Sequence, residues 1–153
     1  MDEKQIMIQK LYMKDASFEA PNTPGIYNEE WQPAINLNIQ TRNKLVGENL
    51  HEVVLTVTAE AKLGEDTAFL VEVHQAGVFL IQNFTVDETR QIIGAYSPNL
   101  LFPFAREAIT DLVGKGGFPG LLLQPINFDA LYLKQMQEMA QAGKDSEAIA
   151  DKH

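Results

Sequence analysis

The side chains able to do covalent or acid–base chemistry are few in this sequence and badly spaced for it. Histidine occurs three times, at His51, His74 and His153. His51 and His74 lie near and within strand-like segments, His153 ends the chain, and none stands in a ligand or catalytic spacing. Serine occurs only as Ser17, Ser97 and Ser146, and no G-x-S-x-G elbow surrounds any of them. Cysteine is absent, which removes the thiol nucleophile, the disulfide framework and the thiolate zinc site. Gly114-Lys115-Gly116-Gly117 lacks the G-x-x-x-x-G-K-[ST] spacing of a phosphate loop and follows a helical pattern, so it reads as a helix stop. The acidic pairs Glu29-Glu30 and Glu65-Asp66 are adjacent in sequence, point apart, and read as solvated turns. These residues predict a binding domain without catalysis, cofactor or metal.

Composition narrows the partner. A chain of 153 residues, 45% of them hydrophobic, suits one domain with a sizeable core. Twelve Lys and Arg against 21 Asp and Glu give a formal charge of −9, which nucleic-acid phosphates and anionic lipid would repel. No run of about 18 apolar residues is available to span a membrane. Met1 to Gln5 carries no cationic region ahead of an apolar run. The expectation is a soluble, cytoplasmic protein that neither inserts into membrane nor binds nucleic acid.

The elements that must position a binding surface follow from periodicity. Ile35, Leu37 and Ile39 alternate with polar residues, as a half-buried strand requires. Val53, Leu55, Val57, Ala59, Ala61 and Leu63 share one face of a longer strand, and Leu63-Gly64-Glu65-Asp66 supplies the turn of a hairpin. Phe69, Val71 and Val73 continue the inward face. Gln5 to Met13 is strand-like with Ile6, Ile8 and Tyr12 opposing Met7, Leu11 and Met13, so both faces are partly apolar, which suits an edge strand covered by another subunit. Between these strands Ala20 to Tyr27, with two prolines and a glycine, predicts an ordered crossing loop, closed by a segment holding the only tryptophan, Trp31. Core filler and binding residue are both open readings of Trp31.

The second half changes period. Thr85-Val86-Asp87-Glu88 fits a capping box. A short helix should follow through Ile93, with Gly94 and Ser97-Pro98 interrupting it and Pro98 opening the next. There Leu101, Phe104, Ala105, Ala108, Ile109, Leu112 and Val113 form an apolar stripe that leaves Phe102 off it. Asn127 should cap a last helix from Phe128 to Ala142, ended by Gly143 and followed by a polar, disordered tail over residues 144–153. Strands first and helices after predict an α+β domain over residues 1–143.

Five blocks of residues, in order, resemble the SecB family of bacterial export chaperones. They are Lys14 to Asn22, Trp31-Gln32-Pro33, Leu63 to Leu70, Gly94 to Glu107, and Pro125 to Leu131. The resemblance implies a four-stranded antiparallel sheet followed by a long helix and a C-terminal helix, assembled as a homotetramer that is a dimer of dimers. It further implies an ATP-independent chaperone that holds precursor proteins unfolded and delivers them to the SecA translocation ATPase. A docking face for the zinc-bearing, basic C-terminal segment of SecA carries over to Asp15, Glu19, Leu70 and Glu72, all present here. Strand parity adds that Leu70 and Glu72 face away from inward Phe69, Val71 and Val73. The resemblance also implies a groove for unfolded clients and places Trp31 in it. Aromatic and Met side chains bind without demanding one sequence, which adds Tyr12, Ile26, Tyr27, Tyr132 and Met136 to the expected lining. Two alternatives are a SecB-like chaperone of a toxin–antitoxin pair, on the same fold, and a small-ligand carrier built around Trp31.

Overall fold

Alternation of β-branched and polar residues through the first half of the chain produces four long strands. The structure, a computed structural model, describes residues 3–151, with side-chain environments through residue 143. Strand β1 spans Gln5–Glu19, β2 Ala34–Gly47, β3 Leu50–Leu63 and β4 Asp66–Gln82, in one antiparallel sheet of order β1-β4-β3-β2. The β3–β4 hairpin turns at Gly64-Glu65, where Gly64 has φ +65°, a conformation that costs glycine little. The expected edge position of β1 is observed, and β2 forms the opposite edge.

One face of the sheet carries the core. Val53, Leu55, Val57, Ala59, Ala61, Phe69, Val71 and Val73 are fully buried there, matching the parity read from the sequence. Helix α1, Val86–Gln91, begins with the expected capping box, in which Thr85 and Glu88 each satisfy the other's free amide. Gly94 and Ser97-Pro98 do not interrupt the helix. A π-helical turn at Ile92–Tyr96 carries the backbone directly into α2, Ser97–Lys115, whose Leu101, Ala105, Ile109 and Val113 cover the inner faces of β3 and β4. Helix α3, Phe128–Asp151, is capped as expected by Asn127, whose Oδ1 accepts from the Ala130 amide at 3.0 Å.

Several expectations are corrected. Phe102 is 4% exposed and packs edge-on against Phe128 at 5.7 Å, whereas Phe104, placed in the apolar stripe, is 44% exposed. The start of α3 covers Phe102 and leaves Phe104 bare. The half-buried face expected for β2 is largely uncovered, because the helices lie over β3 and β4 and leave Ile35 and Leu37 exposed. Helical backbone continues through Gly143 to Asp151 instead of ending at residue 142. The expected tail lies outside the residues whose side chains are described, as does His153.

Strand β1 also departs from simple alternation. Irregularities at Gln9 and Lys14 insert one extra residue each relative to β4. Each flips the parity, so Leu11 and Met13 share the inner face with Ile6 and Ile8, while Tyr12 turns to the outer face opposite Ala76.

Candidate binding surfaces

The inner side of the sheet holds two concavities joined by a strip of apolar side chains. The crossing loop after β1 is pinned by Asn22, whose Nδ2 donates to the Thr67 carbonyl at 2.9 Å, and contains a 3-10 turn at Gly25–Asn28 that buries Ile26. Trp31 leaves this loop half-buried, stacked 6.3 Å from Phe69 and tilted against Phe118 at 5.5 Å. One side of Trp31 meets the core ring Phe69, and another lines a cavity. That cavity, about 450 Å³, is bounded by Ile26, Tyr27, Glu29, Trp31, Gly117, Phe118 and Pro119. Tyr27 is held at its rim by donation from its hydroxyl to the Gly116 carbonyl at 2.7 Å.

The second concavity, about 360 Å³, lies where α3 meets the π turn and the far half of β2. Its apolar lining is Ile93, Tyr132, Met136 and Met139, and its polar lining Thr41 and Asn43 from β2 with Arg90 and Gln135. Helix α3 meets the body mainly through the π turn. Gly94 makes this approach possible, because a Cβ there would lie 2.5 Å from Cδ2 of Tyr132. Between the two concavities run Ile35, Leu37 and Ile39, which pair with inward Ala61, Ala59 and Val57 and so face the same side. From Ala34 to Thr41 this strip is about 23 Å long at ~3.3 Å per residue.

Of the expected groove residues, Trp31, Ile26 and Tyr27 come together in the first concavity, and Tyr132 and Met136 in the second. Tyr12 is not among them, since it stands on the other face of the sheet. Phe118, Ile93 and the β2 strip were missed. The alternation of Ile35, Leu37 and Ile39 was visible in sequence, but nothing local says which parts of an apolar face the helices leave bare.

The outer face is polar and ordered in rows. Cross-strand pairing aligns Glu19, Leu70 and Glu60 in one row, Ser17, Glu72 and Thr58 in the next, and Asp15, His74 and Thr56 in a third. Asp15, Glu19, Leu70 and Glu72 therefore share one face and one end of the sheet, with Leu70 half-buried among carboxylates. Glu72 is held by hydrogen bonds from His74 Nε2 at 3.0 Å and Thr58 Oγ1 at 2.9 Å. These bonds, that from His74 foremost, keep its carboxyl below the ordinary range and hence charged.

Further along the same face, Tyr12 donates its hydroxyl to Glu52, which also accepts from Lys14 Nζ at 2.9 Å. Those hydrogen bonds hold the Glu52 carboxyl below its ordinary range. Burial, reinforced by the Glu52 charge, pushes the Tyr12 hydroxyl up to about 12. Among the described residues, no group of three or more His, Asp or Glu is arranged to hold a metal ion. No helix there is long and apolar enough to cross a membrane.

Comparison with known proteins extends these observations. A family model described as "Preprotein translocase subunit SecB" matches residues 1–139. The chain is 54% identical over 143 residues to the protein-export protein SecB of Nitrosococcus oceani, covering 92% of this chain and 87% of that protein. It is 53% identical over 139 residues to that of Methylococcus capsulatus, covering 91% and 89%. Among solved structures, a SecB-like chaperone of Mycobacterium tuberculosis in complex with an antitoxin peptide superposes with a TM-score of 0.67 at 14% identity. That match covers 79% of this chain and 90% of the other.

Proposed function

The chain belongs to the SecB family of protein-export chaperones, which is not a family of enzymes, and from that premise we propose how it holds and hands on its clients. Unfolded precursor proteins lie along the inner-side groove, from Trp31, Ile26 and Tyr27 over Ile35 and Leu37 to Tyr132 and Met136. The observation that carries this reading is the open apolar strip itself. It offers aromatic rings, branched aliphatics and Met over a length only an extended chain can occupy, with polar groups (Glu29 at one end, Thr41, Asn43, Arg90 and Gln135 at the other) confined to the two concavities. Each contact is weak, and a long chain gains by engaging several grooves at once. Folding of the client withdraws its apolar segments, so release needs no nucleotide.

Assembly as a homotetramer, a dimer of dimers, supplies those several grooves. Exposed Ile8 and Met13 on β1 and Phe104 on α2 are apolar surface that one chain leaves bare, and symmetric association would cover it. The outer-face cluster of Asp15, Glu19, Leu70 and Glu72 docks SecA, through the basic, zinc-bearing segment at the C-terminus of that ATPase, in the cytoplasm. Relatives named for protein export favour this role over service to a toxin–antitoxin pair.

The test pairs two variants with two readouts. Trp31→Ala and Tyr132→Ala are first checked for unchanged oligomeric mass. Affinity for an unfolded precursor should then fall in both, and so should the ability to delay refolding of an unrelated, slowly folding protein. Parent-like binding by both folded variants would remove the groove assignment.

A further inference from the structure

In a chain of charge −9, four of the twelve Lys and Arg stand together on the outer face. Pairing puts Lys10 and Lys44 in one row with Val78 and Glu52, and Arg42 in the adjacent row with Tyr12, Ala76 and Val54. Lys14, the extra residue of the second β1 irregularity, reaches over Glu52 from the other side. Lys14, Arg42, Asn43, Lys44, Glu52 and Val54 surround a concavity of about 230 Å³. Its one carboxylate is already occupied: Glu52 accepts from Tyr12 and Lys14 and has Lys44 at 3.9 Å. The cations remain presented to solvent, with the Lys44 side chain 65% and that of Lys14 41% exposed.

We propose that this basic end is a second docking site on the outer face, which takes an acidic stretch of the same partner segment whose basic stretch lies on the acidic end. The inference rests on the reading of the acidic end given above and adds the chemistry of the neighbouring residues of that segment. Charge complementarity defines the occupant. The face changes sign between the His74 row and the Ala76 row, and Arg42 Nη2 stands 3.5 Å from His74 Nδ1 at that boundary. The centres of the two ends are separated by about five residues along β4, roughly 17 Å at ~3.3 Å per residue. An extended partner therefore needs basic and acidic stretches whose centres lie about five residues apart. A free inorganic anion fits less well. Lys10 and Lys44 lie on opposite edges of the sheet, about 14 Å apart across three strand spacings of ~4.8 Å, further than one phosphate can reach.

The experiment uses the full chain at low ionic strength with fluorescein-labelled hexaglutamate and hexalysine. Hexaglutamate should bind, and Lys44→Glu or Lys10→Glu should each weaken it roughly ten-fold, as reversing one charge about 5 Å from a ligand carboxylate requires. Neither reversal should weaken hexalysine, and added salt should release both peptides. Lys10→Glu leaves the partners of Glu52 in place, so loss of binding there cannot be ascribed to misfolding around the buried carboxylate. A peptide joining four lysines to four glutamates through a single-residue spacer, which centres the two runs about five residues apart, should bind more tightly than either half, and absence of that gain would overturn the single-segment claim. Failure of hexaglutamate to bind, indifference to both reversals, or its displacement by inorganic phosphate at matched ionic strength would overturn the proposal. Loss of hexalysine binding alone would instead refute the acidic-end reading.

Discussion

Gly94→Ala should loosen the proposed client groove through a single added methyl. A Cβ at that position would stand 2.5 Å from Cδ2 and 2.7 Å from Cε2 of Tyr132. Ordinary carbon–carbon contact is about 3.5–4.0 Å, so the ring must retreat by roughly 1 Å or more. Overpacking a well-filled site costs about 1–3 kcal/mol, and a half-buried ring on an outer helix can yield, so the lower end, about 1 kcal/mol, is expected. Binding should suffer as well. If the displaced ring loses roughly 50 Å² of apolar contact with the client, at ~25 cal/mol per Å² the loss is about 1.3 kcal/mol, close to ten-fold in affinity. Urea titration gives the first quantity, and anisotropy of a labelled, unfolded precursor gives the second. In a Tyr132→Ala background the added methyl meets no ring, and Gly94→Ala should then change neither quantity for the worse. An unaltered affinity in the single variant, or an equal loss with and without Tyr132, would refute the steric reasoning.

Tyr12→Phe should destabilise the fold by about 1–2 kcal/mol, since Glu52 loses its phenolic donor while lying just beneath the surface, as urea titration at neutral pH would measure. The pH dependence has two signs. Glu52, lowered in the fold, stabilises it above the ordinary carboxylate range and ceases to do so as pH falls through its depressed value. Tyr12, raised from 10.0 to about 12, stabilises the fold below about 10 and ceases to do so as pH climbs towards 12, so the phenylalanine variant should flatten stability–pH profiles at both limits. Asp15→Lys and Glu72→Lys should weaken SecA binding, and more so at low salt, while client holding is kept; calorimetric titration with SecA decides this. Phe104→Glu should lower the assembled mass seen by light scattering at micromolar concentration, and a monomeric parent would contradict the tetramer outright.

What the sequence disclosed and what it concealed have separable causes. Core parity in β3 and β4 was legible because the two strands pair regularly from Leu50 to Ala61, their register shift between Ala61 and Lys62 falling beside the turn, so Leu70 and Glu72 fell on the outer face as their alternation with Phe69, Val71 and Val73 required. Pairing with Ser17 and Glu19 then brought the acidic residues of β1 beside them. Tyr12 departs from simple alternation because one extra residue at Gln9 reverses every later side chain until Lys14 reverses them again, and no local pattern marks either irregularity. Phe102 and Phe104 exchanged places for a tertiary reason: a period cannot say which flank of α2 will meet Phe128. The π turn is of the same kind, since Gly94 reads locally as a helix breaker and serves instead as the floor beneath Tyr132. The exposure of Ile35 and Leu37, which joins the two concavities, depends on how far the helices reach across the sheet, and no strand pattern encodes that.

Trp31, the only tryptophan, lines the first concavity of the proposed groove and provides its own reporter. Its emission should be recorded while a tryptophan-free precursor is titrated in, once unfolded and once folded. Holding of unfolded chains against Trp31 predicts a saturable blue shift with the unfolded form, no change with the folded one, and loss of the shift as the precursor is allowed to fold. An unchanged spectrum while the unfolded precursor demonstrably binds, or the same shift with the folded form, would contradict the account.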